Sequence, residues 1–112
     1  MKLITAVIKP FKLDEVRQAV ADIGIQGVTV TEVHGYGSWP GRVETYRGAD
    51  YQIDFSPKAK IELAVDDSIA EQVMEAVCNV ARTGSASDGK VWILELEQAL
   101  RVRTGETGPD AI

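Results

Sequence analysis

The segment KLITAVIKPFKLDEVRQAVADIG, residues 2–24, contains the first strand and the first helix of the predicted fold. Residues 2–9 are rich in aliphatic and β-branched side chains and stop at Pro10, which is typical of a strand that a proline ends. Over residues 13–23 the apolar side chains recur at helical spacing with charged residues between them. Gly24 then offers the left-handed position at which helices commonly end. The segment therefore predicts a β–α unit.

The rest of the chain adds three strands and a second helix. The patterns predict strands around residues 28–36, 58–65 and 91–96. Apolar residues at helical spacing over 69–80 predict a helix that ends near residues 83–84. The resulting order, βαββαβ, is that of the ferredoxin-like α+β fold.

The residues Asp66, Asp67 and Ser68 precede the second predicted helix. All three side chains are suited to capping a helix, and Ser68 with Glu71 matches a capping box. Capping explains the acidic pair better than metal binding does. The chain also lacks the spacing of a zinc site, so we expect no metal ligands from the protein.

Both faces of the predicted sheet carry apolar side chains. In the first strand Leu3 and Val7 point to one face, and Ile4 and Ile8 point to the other. Two helices can cover only one face of a four-stranded sheet. We therefore expect a homo-oligomer in which the second face of the sheet is buried between copies.

The length and composition fit one domain over residues 1–112. Forty-five per cent of the residues are hydrophobic, and the net charge is −5. An acidic chain without clustered Lys and Arg argues against nucleic acid as the main partner. Cys78 is the only cysteine, so no intrachain disulfide forms and a cytoplasmic location is expected. No apolar run reaches the ~18 residues that a bilayer span needs.

The stretch GYGSWPGRVETYRGADYQIDF, residues 35–55, separates the second and third predicted strands. It shows no usable apolar period, which predicts a long irregular loop. Loops of more than ~12–15 residues are usually functional or disordered. This one contains Trp39, Tyr46, Arg47 and Tyr51, residue types that are common in protein interfaces. An interaction arm is therefore favoured over a floppy extension.

Two segments near the end of the chain are candidates for anion binding. TGSASDGKVW, residues 83–92, combines flexible glycines with Lys90, a pattern that suits a phosphate. In RVRTG, residues 101–105, Arg101 and Arg103 are two apart, so in an extended segment both side chains emerge on one side. Two guanidinium groups and an ammonium suit a triphosphate. An ordinary helix-to-strand turn and solvated charges near a chain end are the alternatives.

The chain resembles the PII signal-transduction family, the trimeric regulators of nitrogen metabolism, over essentially its whole length. The shared stretches are IKPFKLDEV, GVTVTEVHGYG, YRGADY, DFSPKAKIEL, ARTG, DGKVW, RVRTG and the final DAI. YRGADY and DGKVW fall where the two family signatures lie. The resemblance implies a ferredoxin-like fold and a compact trimer, which agrees with the two apolar faces of the sheet.

The resemblance also implies that ATP or ADP binds as an effector in the cleft between subunits. The positions expected to contact the nucleotide are Thr29, Gly37, Ser38, Ala64, Ser87, Asp88, Gly89, Lys90, Arg101 and Arg103. By the same resemblance, the two arginines grip the phosphates and the backbone around Ala64 meets the adenine. The bound nucleotide then biases the conformation of the arm.

The arm corresponds to the T-loop of the family, residues 37–55. Residues 97–112, after the last strand, form a C-terminal tail. The T-loop docks on target proteins, such as an ammonium channel or a regulatory enzyme. In the family an arginine at the position of Arg47 enters the channel pore, and we expect Trp39 and Tyr46 to contact the partner as well. Tyr51 matches the tyrosine that many bacterial members have uridylylated.

The residues Ser38-Trp39-Pro40 depart from the family pattern, which is Arg-Gln-Lys at these positions. The family's glutamine helps to hold a magnesium ion that bridges ATP and 2-oxoglutarate. An indole has no oxygen to offer Mg²⁺, and proline removes a backbone N–H. Lys58, which matches the lysine that pairs with 2-oxoglutarate, is retained, although an outward-facing strand lysine is an equal alternative. We therefore expect sensing of 2-oxoglutarate to be weakened or replaced.

A second departure is the presence of Ser85 and Ser87 where the family has a lysine and a glycine. The Ser87 amide can still donate to a phosphate if its backbone angles tolerate a Cβ. The alternative function within the family is a divergent adenylate sensor with little or no 2-oxoglutarate binding that regulates a bicarbonate or metal-ion transporter. An enzyme is less favoured, because Asp88 is the only carboxylate near Lys90 and no positioned general base accompanies it. We therefore expect no catalytic residue.

Overall fold

A computed structural model describes residues 1–37, 42–53 and 55–112, with the backbone alone for residues 42–46 and 50–53. The elements, in chain order, are β1 (Lys2–Ile8), α1 (Leu13–Ile23), β2 (Thr29–Gly35), β3 (Arg42–Tyr46), β4 (Ala49–Ile53), β5 (Ser56–Val65), α2 (Ala70–Ala81) and β6 (Gly89–Glu95). Short 3-10 turns occupy Pro10–Lys12, Asp67–Ile69 and Gly108–Ala111.

Four of these strands form an antiparallel sheet in the order β2-β5-β1-β6. The central strand β1 pairs with β5 on one side and with β6 on the other, so that Ile4 lies opposite both Leu63 and Ile93. Both helices pack against the face that carries Ile4. This arrangement confirms the predicted ferredoxin-like α+β fold.

The core between the sheet and the helices is aliphatic. It contains Ile4 and Ile61 from the sheet, Val16 from α1 and Val73 from α2, each with at most 1% of its surface exposed. Fully burying such a side chain contributes about 1.5–3 kcal/mol to folding. The predicted alternation in β1 and the helical spacing over 13–23 and 69–80 are therefore what assemble the core.

The helix ends confirm one predicted cap and correct another. Gly24 has φ +106° and donates to the Ala21 carbonyl at 2.9 Å, as the sequence predicts. The capping box of Ser68 with Glu71 is wrong, because the residue that caps is Asp66. Its carboxylate accepts from the Ser68 amide at 3.0 Å and starts a 3-10 turn, so that α2 begins only at residue 70.

The face of the sheet opposite the helices is uncovered in a single chain. Trp92 and Leu94 lie on this face with 40% and 54% of their surfaces exposed. They stand opposite Thr5 and Leu3 of β1, so the apolar surface continues across two strands. The prediction that both faces of the sheet carry apolar side chains is confirmed.

The arm is more regular than the sequence predicts, because β3 and β4 form an antiparallel hairpin. The register runs from Arg42 opposite Ile53 to Tyr46 opposite Ala49, and residues 47–48 form the turn. Arg47 has φ +52° and Gly48 has φ +77°. Left-handed angles at both central residues define the turn type that best fits the twist of a hairpin. The sequence signal for this hairpin is the β-prone run VETY followed, after Arg47, by a glycine.

α1 and α2 have 11 and 12 residues. Within the described ranges of the chain, no helix combines the length and the apolar character that crossing a membrane requires.

Candidate functional site

The turn between α2 and β6 is organised by the carboxylate of Asp88. This carboxylate accepts from the backbone amides of Thr83 at 2.7 Å and Gly84 at 2.9 Å, and from the Thr83 hydroxyl. The hydroxyl and the amide of Thr83 are the main reasons why the pKa of Asp88 falls to about 2. Asp88 is therefore ionised at neutral pH and occupied in holding the turn. Such a group is a poor general base.

Gly89 follows in a conformation that only glycine can adopt here. Its φ is +105°, and a Cβ at this position would stand 1.8 Å from the Val7 carbonyl oxygen. The close approach of the two backbones fixes where β6 begins. Lys90 comes next, exposed and opposite Val7.

Ser87 and Lys58 connect this turn to the sheet. Arg47 is the only described non-glycine residue with a positive φ, so the backbone of Ser87 tolerates its Cβ. The Lys58 ammonium donates to the Ser87 carbonyl, and Lys58 is only 5% exposed. Burial, together with the charge of Lys9, lowers the pKa of Lys58. Lys58 lies with Lys60 on the face of β5 that points away from the helices, but its side chain is buried and its ammonium contacts the turn.

A second group of predicted residues lies around a cavity of about 760 Å³. Its lining includes Ala64 of β5, Gly27 of the loop before β2, and Arg101. Thr29 begins β2 opposite Glu62, two residues along β5 from Ala64. Ala64 and Thr29 thus lie close together at one end of the sheet, and Arg101 reaches the same cavity.

The C-terminal tail is a closed turn, and the predicted extended geometry of its arginines is wrong. The Arg101 amide donates to the Glu106 carbonyl at 2.8 Å, and the Gly105 amide donates to the Arg101 carbonyl at 2.8 Å. Gly105 has φ +74°, which lets the chain reverse. Strand alternation therefore does not align Arg101 with Arg103. Both arginines are nevertheless exposed.

The two groups of predicted residues do not meet within one chain. Lys90 stands opposite Val7 near one end of β1, and Ala64 stands opposite Leu3 near the other. At about 3.4 Å per residue, these positions are about 14 Å apart along the strand. Residues 88–90 form part of the lining of a separate cavity of about 230 Å³. One chain therefore carries two half-sites, which we call the turn half-site (Ser87–Lys90) and the cavity half-site (Thr29, Ala64 and Arg101).

The arm leaves the sheet at the same end as the turn half-site. β2 and β5 pair as far as Gly35 opposite Ser56, and Gly37 follows Tyr36 at this end. The rings of Tyr36 and Phe55 pack beside each other with their centroids 5.7 Å apart, and both are exposed. The pairing of Tyr36 with Phe55 depends on the register of β2 and β5, which the sequence pattern does not predict.

The predicted partner-binding residues have different placements. Arg47 is exposed in the hairpin turn, Tyr46 belongs to β3, and Tyr51 lies in β4 opposite Glu44. Ser38 and Trp39 lie outside the described residues. In the parts of the chain that are described, no three His, Cys, Asp or Glu side chains converge in a way that could hold a metal ion.

The fold and these features define a ferredoxin-like α+β domain with an arm between two strands of its sheet and a Gly-Lys turn beside the base of the arm. The family model described as nitrogen regulatory protein P-II matches residues 1–106. Proteins named nitrogen regulatory protein P-II from Rhodospirillum rubrum and Rhizobium meliloti are each 54% identical to this chain, and one from Haemophilus influenzae is 52% identical. Each match covers all 112 residues and the whole of the relative.

The chain belongs to the nitrogen regulatory P-II family. The resemblance seen in the sequence is confirmed, and membership associates the protein with nitrogen regulation and signal transduction.

Proposed function

We propose that this chain is a PII-type signal-transduction regulator that binds ATP or ADP between neighbouring copies and controls a partner through its arm. The partner is a membrane transporter such as an ammonium channel, or a regulatory enzyme, and the protein acts in the cytoplasm without catalysing a reaction. Relatives named for nitrogen regulation favour this role over control of a bicarbonate or metal-ion transporter.

The separation of the two half-sites is the observation that carries this proposal. One chain holds Lys90 and Arg101 in different cavities, and Ala64, which shares the cavity of Arg101, lies about 14 Å from Lys90 along the strand direction. A neighbouring copy can supply the missing half, so that an ammonium and two guanidinium groups face one set of phosphates. The uncovered face with Trp92 and Leu94 provides the apolar surface that such an assembly needs. In a homotrimer, three-fold rotation repeats one interface between each pair of neighbouring copies. Such an assembly both joins the two half-sites and buries the uncovered face.

Roles within the proposed site follow from chemistry. The apolar wall near Ala64 suits an adenine, and the exposed guanidinium groups of Arg101 and Arg103 suit phosphate oxygens. At the turn half-site, the Ser87 and Gly89 amides and the Lys90 ammonium can donate to the phosphates. Asp88 takes no part in chemistry, since its carboxylate is engaged by Thr83 and Gly84.

Weak sensing of 2-oxoglutarate is part of the proposal. Trp39 offers no oxygen to Mg²⁺, so the residues present do not fit the ion that would bridge ATP and this ligand. The Lys58 ammonium already donates to the Ser87 carbonyl and is buried. A carboxylate would have to displace that contact in order to pair with Lys58.

The first test is calorimetric titration with ATP and with ADP. Lys90→Gln and the double variant Arg101→Gln/Arg103→Gln should each weaken binding by roughly tenfold or more, since each removes charge-assisted hydrogen bonds. Lys12→Gln is the control, because the Lys12 ammonium pairs with Glu15 and lines neither of the two cavities. Failure of the wild-type protein to bind either nucleotide would contradict the proposal.

Mixing the two charge variants tests whether the site lies between copies. When Lys90→Gln chains assemble with chains that lack both arginines, about one quarter of the interfaces should combine two intact half-sites. Tight ATP binding should return at that fraction of the sites. A site contained within one chain would show no recovery.

Assembly itself is tested at the uncovered face. Leu94→Arg places a charge in the centre of the proposed interface, where an unpaired buried cation is costly. The variant should be smaller than the wild type by light scattering at the same concentration. Retention of a trimer by Leu94→Arg, or a monomeric wild type, would rule out this interface.

Partner binding and modification are tested in native lysate. Capture of a partner by the wild-type protein should depend on whether ATP or ADP is present and should be lost with Arg47→Ala. Capture that Arg47→Ala leaves unchanged would remove the arm from the mechanism.

Tyr51 is the proposed site of uridylylation, which peptide mass spectrometry after nitrogen starvation would detect.

A further inference from the structure

The turn half-site is closed by a set of hydroxyl contacts that involve Ser85. The Ser87 amide donates to the Ser85 hydroxyl oxygen at 3.3 Å, and the hydroxyl groups of Ser85 and Ser87 lie 3.1 Å apart. The Ser85 amide donates in turn to the Thr83 hydroxyl oxygen at 3.3 Å. Thr83 is itself fixed by Asp88. The Ser87 amide therefore has an internal acceptor.

The same amide is one of the donors that the proposed function assigns to nucleotide phosphate. Ser85 is exposed and Ser87 is partly so, which makes the contact accessible to a ligand. A phosphate oxygen carries negative charge and accepts more strongly than a neutral hydroxyl. A nucleotide can therefore displace Ser85 from the Ser87 amide, but the broken contact reduces the net gain.

We infer that the Ser85 hydroxyl is an internal competitor for nucleotide phosphate and lowers the affinity of this chain for ATP. This inference rests on the proposed nucleotide site. The Ser85 hydroxyl accepts from the amide that a phosphate oxygen would need, so the two acceptors exclude each other at this donor.

The magnitude follows from the strength of a neutral hydrogen bond. Removing the competing hydroxyl should tighten ATP binding by between about twofold and tenfold. Ser85→Ala removes the hydroxyl alone. Ser85→Thr is the matched control, because it keeps a hydroxyl on the same carbon.

Two measurements test the inference in the full-length protein. Calorimetric titration with ATP should show tighter binding for Ser85→Ala and an affinity within about twofold of the wild type for Ser85→Thr. Hydrogen exchange of the Ser87 amide, followed by NMR without nucleotide, should be faster in Ser85→Ala and unchanged in Ser85→Thr.

The outcomes separate the inference from the proposed function. Unchanged or weaker ATP binding by Ser85→Ala would overturn the inference, since the hydroxyl would then be neutral or a phosphate donor. Unchanged exchange of the Ser87 amide would overturn it as well. Faster exchange with no ATP binding by any variant would instead overturn the proposed nucleotide site, and the inferred effect on affinity with it.

Discussion

The turn half-site and the arm lie at the same end of the sheet, but different contacts stabilise them. The turn is fixed by bonds directed inward, three to the Asp88 carboxylate and one from Lys58 to the Ser87 carbonyl. The arm forms a two-stranded sheet of its own, with backbone pairing between β3 and β4 and none to the main sheet among the described strands. The difference teaches that side-chain contacts tie the turn to the rest of the domain, whereas the described strands of the arm pair only with each other.

The substitution in the turn with the largest expected effect on stability is Gly89→Ala. A methyl group 1.8 Å from the Val7 oxygen must push β6 away from β1, and the positive φ adds strain. We expect a loss of roughly 3–5 kcal/mol in the free energy of unfolding. Gly84→Ala in the same turn is the control, because it also has a positive φ but no atom within 4 Å of the added Cβ, and it should lose about 1–2 kcal/mol. Equal urea midpoints for the two variants would show that the contact with Val7 is relaxed.

Asp88→Asn should have the next largest effect, because it removes the charge to which the amides of Thr83 and Gly84 donate. The pKa of Asp88 is about 2 in the folded protein and 3.8 ordinarily. Its stabilising contribution is therefore complete above about pH 4 and is lost as the pH falls towards 2. The difference in unfolding free energy between the wild type and the variant should be constant above this window and shrink within it. Urea titrations between pH 2 and 6 measure this difference, and one that does not change with pH would contradict the assigned cause.

Lys58→Met should alter the alkaline pH dependence of stability, because Lys58 ties β5, the strand that follows the arm, to the turn. Burial and Lys9 lower the pKa of Lys58 below its ordinary value of 10.5. The folded protein then releases this proton before the unfolded chain does, so the wild type should gain stability with rising pH just below 10.5. The variant should lack this gain. Lys60→Met, on the same face of β5 but paired with Glu62, is the control and should behave as the wild type does.

The smallest effect on stability should come from Arg47→Gly. Glycine accepts φ +52° without the strain that arginine bears, so the hairpin turn should be favoured slightly. Because the hairpin pairs only with itself among the described strands, the free energy of unfolding from urea titration should change by less than about 0.5 kcal/mol. Capture of the proposed partner should nevertheless be lost. A large shift in the midpoint would mean that the arm is part of the cooperative fold.

The sequence predicted the parts of the fold that repeat with a simple period. Alternation in β1 and helical spacing in α1 and α2 predicted the core, and the apolar residues on both faces of β1 predicted the uncovered face. It did not reveal contacts between residues that are distant in sequence. The link from Lys58 to Ser87 and the approach of Gly89 to Val7 both depend on register.

Local geometry was the other source of error. The spacing of Arg101 and Arg103 predicts one-sided side chains only in an extended segment, and Gly105 reverses the chain close by. Ser68 and Glu71 match a capping box, but the Asp66 carboxylate accepts from the Ser68 amide, to which the Glu71 side chain would reach in that motif. In both cases a neighbouring residue decides the local conformation.

The aliphatic core has a spectroscopic consequence. The buried hydrophobic side chains of the described residues are all Ala, Val, Ile or Leu, while Trp92 lies on the uncovered face and Trp39 belongs to the arm. Tryptophan fluorescence in this protein therefore responds to changes at the uncovered face and at the arm, and not directly to the packing of the core. In a Trp39→Phe variant, the fluorescence comes from Trp92 alone and should change when the uncovered face is buried by another copy.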